Sequence, residues 1–296
     1  MYFGYNPRLC FISARSGNVL HAMKVEVASR IASIDFKQGN MLQLIDSART
    51  GNSTVSRSIF EISPINESRH LGECGFGIVS RWAFDRSMET YEAQGPHAAT
   101  TFYRHISISR TPDAVSLWGY LFERLALNCL DRIDVAGRKF PICGLTSPEE
   151  MTWTYCGPTP RSNFLHKSDF IDEITKAVQK NKPLHLVSSS PKFTAIGSIL
   201  YVPNEALTCI QTTVSTNHGI PVSGLQRIQN WLEHGTLLAH LRPSADRPWR
   251  FIFIVPPGEA STFELQQLKG DTALGEWAGK VNQFVLGLDV LGKGTE

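Results

Sequence analysis

The 296-residue sequence predicts an α/β protein with a mixed central sheet flanked by helices. Three observations carry that expectation. Runs rich in β-branched and aromatic residues (LHLVS, SILYV, ALTCIQTTVS, WRFIFIV) recur through the second half of the chain. Amphipathic or greasy helical stretches lie between and after them, which favours helices on the faces of a mixed sheet. From Ala206 to Ser215 the side chains alternate between two faces, setting Gln211 and Thr213 on one side with Cys209 and Ser215, and Thr212 and Val214 on the other. A polar set on one face of an otherwise apolar strand asks for a chemical reason.

Composition narrows the classes. A hydrophobic fraction of 42% is ordinary for a globular chain and a charged fraction of 19% is slightly low. The formal net charge of +2 is too small to argue for nucleic acid or any other acidic partner by itself. The six cysteines form no CxxC pair and no cysteine–histidine spacing of a zinc site, so they read as free thiols of a reducing compartment. The first ten residues, MYFGYNPRLC, lack the basic and apolar regions of a signal peptide, and no window approaches the ~20 apolar residues of a membrane span. The expectation is a soluble, intracellular protein with no membrane partner.

In chain order, Val19 to Ile34 carries apolar residues at near-helical spacing, and Asn40 to Ala48 reads as a second short helix. No GxxxxGK[ST] occurs, and GECGFG (residues 72–77) has the wrong spacing for a dinucleotide fingerprint. It reads as a loop, and no nucleotide cofactor is expected. Ser58 to Pro64 reads as a strand; Gly77 to Tyr91 and Ala98 to Ile106 read as helices. Thr111-Pro112-Asp113 is a helix start: an N-cap, a proline for the first turn, and an acid for the dipole. The helix it opens, Pro112 to Leu130, is apolar on most sides, yet carries Glu123 at its middle.

Lys139 to Leu145 and Met151 to Cys156 read as strands and residues 157–167 as a loop. Ser168 reads as the cap of a helix from Asp169 to Gln179, ended by Pro183. Strands follow at Leu184 to Ser188, Thr194 to Val202 and Ala206 to Ser215, with Pro203-Asn204-Glu205 as a hairpin turn. Gly224 to His234 reads as an amphipathic helix, and Trp249 to Val255 as the strongest strand, stopped by Pro256-Pro257. Phe263 to Leu268 reads as a short helix, and Val281 to Leu288 as a strand or helical turn.

Cutting a phosphodiester with a metal ion needs acidic oxygens to hold the cation and a group to orient water. Glu123 offers one such oxygen from a helix. Gln211 and Thr213 can hydrogen-bond but bring no charge, and Glu205 lies in the turn nearby. His218, directly after the strand, is a candidate general base or phosphate contact. No GxSxG occurs and no cysteine–histidine pair has an orienting acid, so nucleophilic Ser or Cys catalysis is not indicated.

WGYLFERLA, FTAIGSILYV, IQTTVSTNHGI, PVSGLQRI, WRFIFIVPP and VNQFVLGL, in that order, resemble the C-terminal region of fungal Crinkler-type and retrotransposon-hot-spot-like proteins. The resemblance spans about Ser58 to Leu288. It implies a restriction-endonuclease-like domain of the PD-(D/E)XK type at residues 112–296, behind a helical linker region at 58–111 and an N-terminal segment, 1–57, left from an NTPase domain. Carried over residue by residue, Glu123 matches the helix glutamate, Gln211 the second acidic position, Thr213 the lysine position and His218 the histidine after the strand. Gly197 stands where the family has its strand aspartate. The catalytic set so implied is Glu123, Gln211, Thr213 and His218, with Mg²⁺ held by Glu123 if the site is active. Losing the aspartate implies an impaired nuclease, a pseudoenzyme that binds DNA in the nucleus or serves as an effector or interaction module toward host or self protein. An active divergent nuclease that recruits Glu205 or His218, and a protein-binding scaffold with no nucleic-acid contact, are the alternatives.

Overall fold

A computed structural model describes residues 17–34, 60–64, 74–78, 81–108, 112–130, 137–146, 150–155, 161–164, 166–188, 196–233, 236–270 and 275–291. The expected helix at Asn40 to Ala48 and the cap at Thr111 lie outside them. The chain divides into two compact units, Met1–Leu121 and Phe122–Glu296.

In the first unit, helix α1 (Gly17–Ala32) packs on α2 (Arg81–Gln94), and α2 on α3 (Pro96–Ile108). Tyr91 of α2 meets Phe102 of α3 edge-to-face and donates its hydroxyl proton to the Ala98 carbonyl across the sharp Gly95 corner. Strands β1 (Phe60–Pro64) and β2 (Cys74–Ile78) form an antiparallel hairpin. The glycine-rich stretch read as a loop is therefore partly a strand. Ladder pairing with FEISP outweighs the poor strand propensity of its glycines.

Helix α4 (Pro112–Leu130) keeps the bounds its sequence predicts. The second unit is built on an eight-stranded mixed sheet in the order β4-β3-β12-β10-β8-β7-β6-β5. Its strands are β3 (Lys139–Gly144), β4 (Glu150–Thr154), β5 (Arg161–Phe164), β6 (Leu184–Ser188), β7 (Ser198–Tyr201), β8 (Thr208–Thr212), β10 (Trp249–Val255) and β12 (Val281–Gly287). β6, β7 and β8 run as an antiparallel meander; β8, β10 and β12 are mutually parallel neighbours. β10 sits in the interior because WRFIFIV is apolar on both faces, the pattern of a strand covered on both sides.

Helix α5 (Lys167–Lys180) and helix α6 (Val222–Leu232) bury their apolar sides against one sheet face. There Phe170, Ile174, Leu225 and Ile228 meet Ile199, Cys209, Phe251 and Phe253. The cap of α5 is His166, not Ser168: the His166 backbone N–H donates to the Asp169 carboxylate at 3.0 Å, which turns the chain two residues earlier than expected. Asn181 ends α5 in the left-handed conformation at φ 49°, and Lys182 N–H returns to the Ala177 carbonyl.

Two further readings change. β5 lies inside the stretch expected to be loop, because it pairs in parallel with β6 and buries Phe164 beneath Phe170. Phe263 to Gln267 is not helical; the 3₁₀ turn precedes it at Pro257–Thr262, and Leu268–Lys269 (β11) pairs in parallel with Ile220–Pro221 (β9). Val281 to Leu288 resolves to the strand β12. Among the described residues no helix is long and apolar enough to cross a membrane.

Candidate functional site

The β7–β8 ladder pairs Ser198 with Ile210 and Ile199 with Cys209. One step further along this antiparallel register, Gly197 stands beside Gln211. A methyl group placed on Gly197 would lie 3.8 Å from Gln211 Oε1, 4.0 Å from Glu123 Oε1 and 3.3 Å from the Ile210 carbonyl oxygen. Helix α4 thus delivers Glu123, and the two strands Gln211 and position 197, to one place. These three positions, chosen from sequence, converge.

The Gln211 side chain is half-buried. Its Nε2 donates to the Thr212 carbonyl at 3.2 Å, while its Oε1 is buried and accepts no hydrogen bond. An acceptor oxygen left without a donor costs about 1–3 kcal/mol. Such a cost is tolerated where the oxygen has a ligand to meet. Glu123 is likewise half-buried. Both groups are hard oxygen donors of the kind Mg²⁺ accepts, but together they carry a single negative charge, and Gly197 supplies no oxygen. This donor set does not make a competent divalent-ion site. Among the described residues no group of three His, Cys, Asp or Glu side chains is placed to hold a metal ion.

Thr213 and His218 are held by other partners. Thr213 follows β8, and its N–H donates to the Ile254 carbonyl. Its hydroxyl oxygen accepts the Ser215 N–H at 3.0 Å, so the side chain closes a turn at the strand's end. The next link repeats the device: Ser215 Oγ accepts the Asn217 N–H at 3.3 Å. A lysine in place of Thr213 would lose this turn. His218 is fixed through its backbone, which donates to Gln266 Oε1 at 2.5 Å. Its half-buried ring is pushed below the ordinary histidine range, first by burial and then by the Lys269 ammonium, so it is neutral at pH 7. Glu205, the alternative ligand in the hairpin turn, is ion-paired with Arg250, and Arg247 donates to its carbonyl at 2.7 Å. The turn itself rests on Asn204 at φ 66°.

Sequence reasoning missed the polar cluster that holds this loop. Gln266, only 5% exposed, offers its N–H to Gln283 Oε1 at 3.0 Å, while Gln283 Nε2 donates to the Gln266 carbonyl at 2.8 Å. The Gln283 amide thus mimics a strand neighbour. The Gln266 side chain in turn donates to the Thr216 carbonyl at 2.9 Å and accepts from His218. Also missed is the fully buried His185, whose Nε2 lies 2.9 Å from Ser198 Oγ, with Tyr155 OH at 3.5 Å from Nδ1. No part of either cluster sits in a recognisable sequence spacing.

Compared with family models, curated proteins and solved structures, the chain finds no match.

Proposed function

We propose that this chain is a restriction-endonuclease-like protein of the Crinkler type that has lost metal-dependent cleavage and works by binding DNA. The carrying observation is the gap at Gly197: a helix glutamate and a strand glutamine point their oxygens at a place where a third, strand-borne acid is wanted and only a hydrogen stands. The arrangement of one Glu from a helix and two positions on adjacent strands supports the reading, because a metal-dependent nuclease site draws its ligands from such elements. The charge is too low to bind Mg²⁺ well, and Thr213, engaged in its turn, offers no cation to a developing phosphate charge.

Cleavage and binding assays on single- and double-stranded DNA test this reading. Wild type is expected to bind DNA more weakly as salt rises and to cut neither form with Mg²⁺ or Mn²⁺. Gly197→Asp should bind Mn²⁺ at least about tenfold more tightly than wild type, since it adds a charged ligand. That gain should vanish in the Gly197→Asp/Glu123→Ala double variant. Robust wild-type cleavage that Glu123→Ala abolishes would sink the impaired reading. Failure of wild type to bind DNA at low salt would remove the nucleic-acid role and leave the protein-binding one.

A further inference from the structure

The donor set at Gly197 is wrong for Mg²⁺ in charge, not in atom type. Three oxygens border the open space in front of the Gly197 Cα. The Ile210 carbonyl oxygen, Gln211 Oε1 and Glu123 Oε1 lie 3.3, 3.8 and 4.0 Å from the point where a methyl group would stand. They come from a strand backbone, a strand amide and a helix carboxylate. No nitrogen is among the three atoms nearest to that point.

Gln211 Oε1 is buried there and accepts no hydrogen bond. Its Nε2 is anchored on the Thr212 carbonyl at 3.2 Å, so the amide cannot turn the oxygen away without losing that bond. A buried acceptor held in this state calls for a hydrogen-bond donor or a cation. Glu123 supplies one full negative charge, and the amide and the main-chain carbonyl supply dipoles. One charge and two neutral oxygens match an ion of charge +1, whose hydration shell carbonyl-type oxygens can replace. Mg²⁺ gives up its waters far more reluctantly.

We propose that the Glu123, Gln211 and Ile210 oxygens at Gly197 form a site for a monovalent alkali cation. The site rests on the three positions of the nuclease-type reading, but not on its DNA role, so either can fail without the other. Glycine at 197 is what keeps the space open: any larger side chain would put its Cβ among the three oxygens.

The test is NMR of the full chain, following the Gln211 side-chain amide and the Gly197 N–H. The protein is titrated with KCl, and separately with NaCl, against tetramethylammonium chloride at matched ionic strength. Tetramethylammonium is too large for the space and has no N–H to donate, so it reports ionic strength alone. K⁺ or Na⁺ should shift both signals saturably, and the ion that saturates at the lower concentration is the one the site takes. Glu123→Gln keeps an oxygen but removes the charge, and should weaken the response about tenfold. Gly197→Ala puts a methyl group into the space and should abolish the response, with the rest of the spectrum unchanged as the check on folding. No saturable shift with either ion, an undiminished one in either variant, or saturation by MgCl₂ at a lower concentration than either alkali chloride overturns the site. DNA binding by the same samples is read separately: its absence beside an intact K⁺ or Na⁺ response removes the DNA role and leaves the cation site standing.

Discussion

Gln211 is where a single residue costs stability. Its Oε1 is buried with no donor, and its Nε2 makes one long bond to the Thr212 carbonyl. Replacing the amide by an apolar side chain of similar size removes the orphaned acceptor at the expense of that bond. Gln211→Leu should therefore raise stability by about 1 kcal/mol, read as a higher urea midpoint with an unchanged slope. A loss of that size instead would mean that the oxygen has a partner in solution. The same residue shows how far the site was legible. Alternation along Ala206 to Ser215 singled out Gln211 as a polar side chain on one face of an otherwise apolar strand, and the antiparallel register then set it beside Gly197. Glu123 came from a different kind of signal, an acid at the middle of a greasy helix. Thr213 shared the strand's period but not its fate. The strand stops at Thr212, and the hydroxyl is taken by the Ser215 turn.

At the scale of elements, the loop that carries His218 is tied toward β12 through the side chains of Gln266 and Gln283. Gln283 pairs both backbone groups of Gln266, and Gln266 holds Thr216 and His218. Gln283→Ala would leave a buried N–H and carbonyl of Gln266 unpaired. It should cost about 2–3 kcal/mol by urea unfolding and speed amide exchange at His218 well beyond that at the β10 amides. An exchange rate at His218 no faster than in wild type would show that the loop is held by other means. None of this was visible in sequence, because Gln266 and Gln283 follow no period and meet only once β12 is in place. The elements that were misread share the same cause. β2 is glycine-rich, β5 is rich in polar residues, and β9 and β11 are two residues each. Each is a strand because a neighbour pairs with it, which local propensity does not record. By contrast α4, α5 and α6 were readable from their apolar spacing, and β10 from its aromatic and β-branched run WRFIFIV, of which all but Arg250 is buried.

In the second unit as a whole, scaffold and candidate site pull in opposite directions. Phe253 is fully buried at the middle of β10, flanked in register by Gln211 on β8 and Val285 on β12. Its ring lies tilted against Phe251 at 4.9 Å and against Phe263 at 5.0 Å, so it ties the interior strand to the segment that leads into Gln266 and Lys269. One strand position away, Gln211 spends part of that burial on an acceptor with nothing to accept. A sheet selected for stability alone would put a Leu or Val there, as it does at Val285. Phe253→Ala should cost about 3–5 kcal/mol, since the rigid strands on both sides cannot close over the cavity. It should also loosen the Phe263 segment, seen as faster exchange at the Gln266 and Lys269 amides. If Phe253→Ala cost less than Gln283→Ala, the polar cluster rather than the aromatic contact would be what fixes that segment. Opposite signs for Gln211→Leu and Phe253→Ala, adjacent in the same register, would mark Gln211 as a residue kept for what it meets and Phe253 as one kept for how it packs.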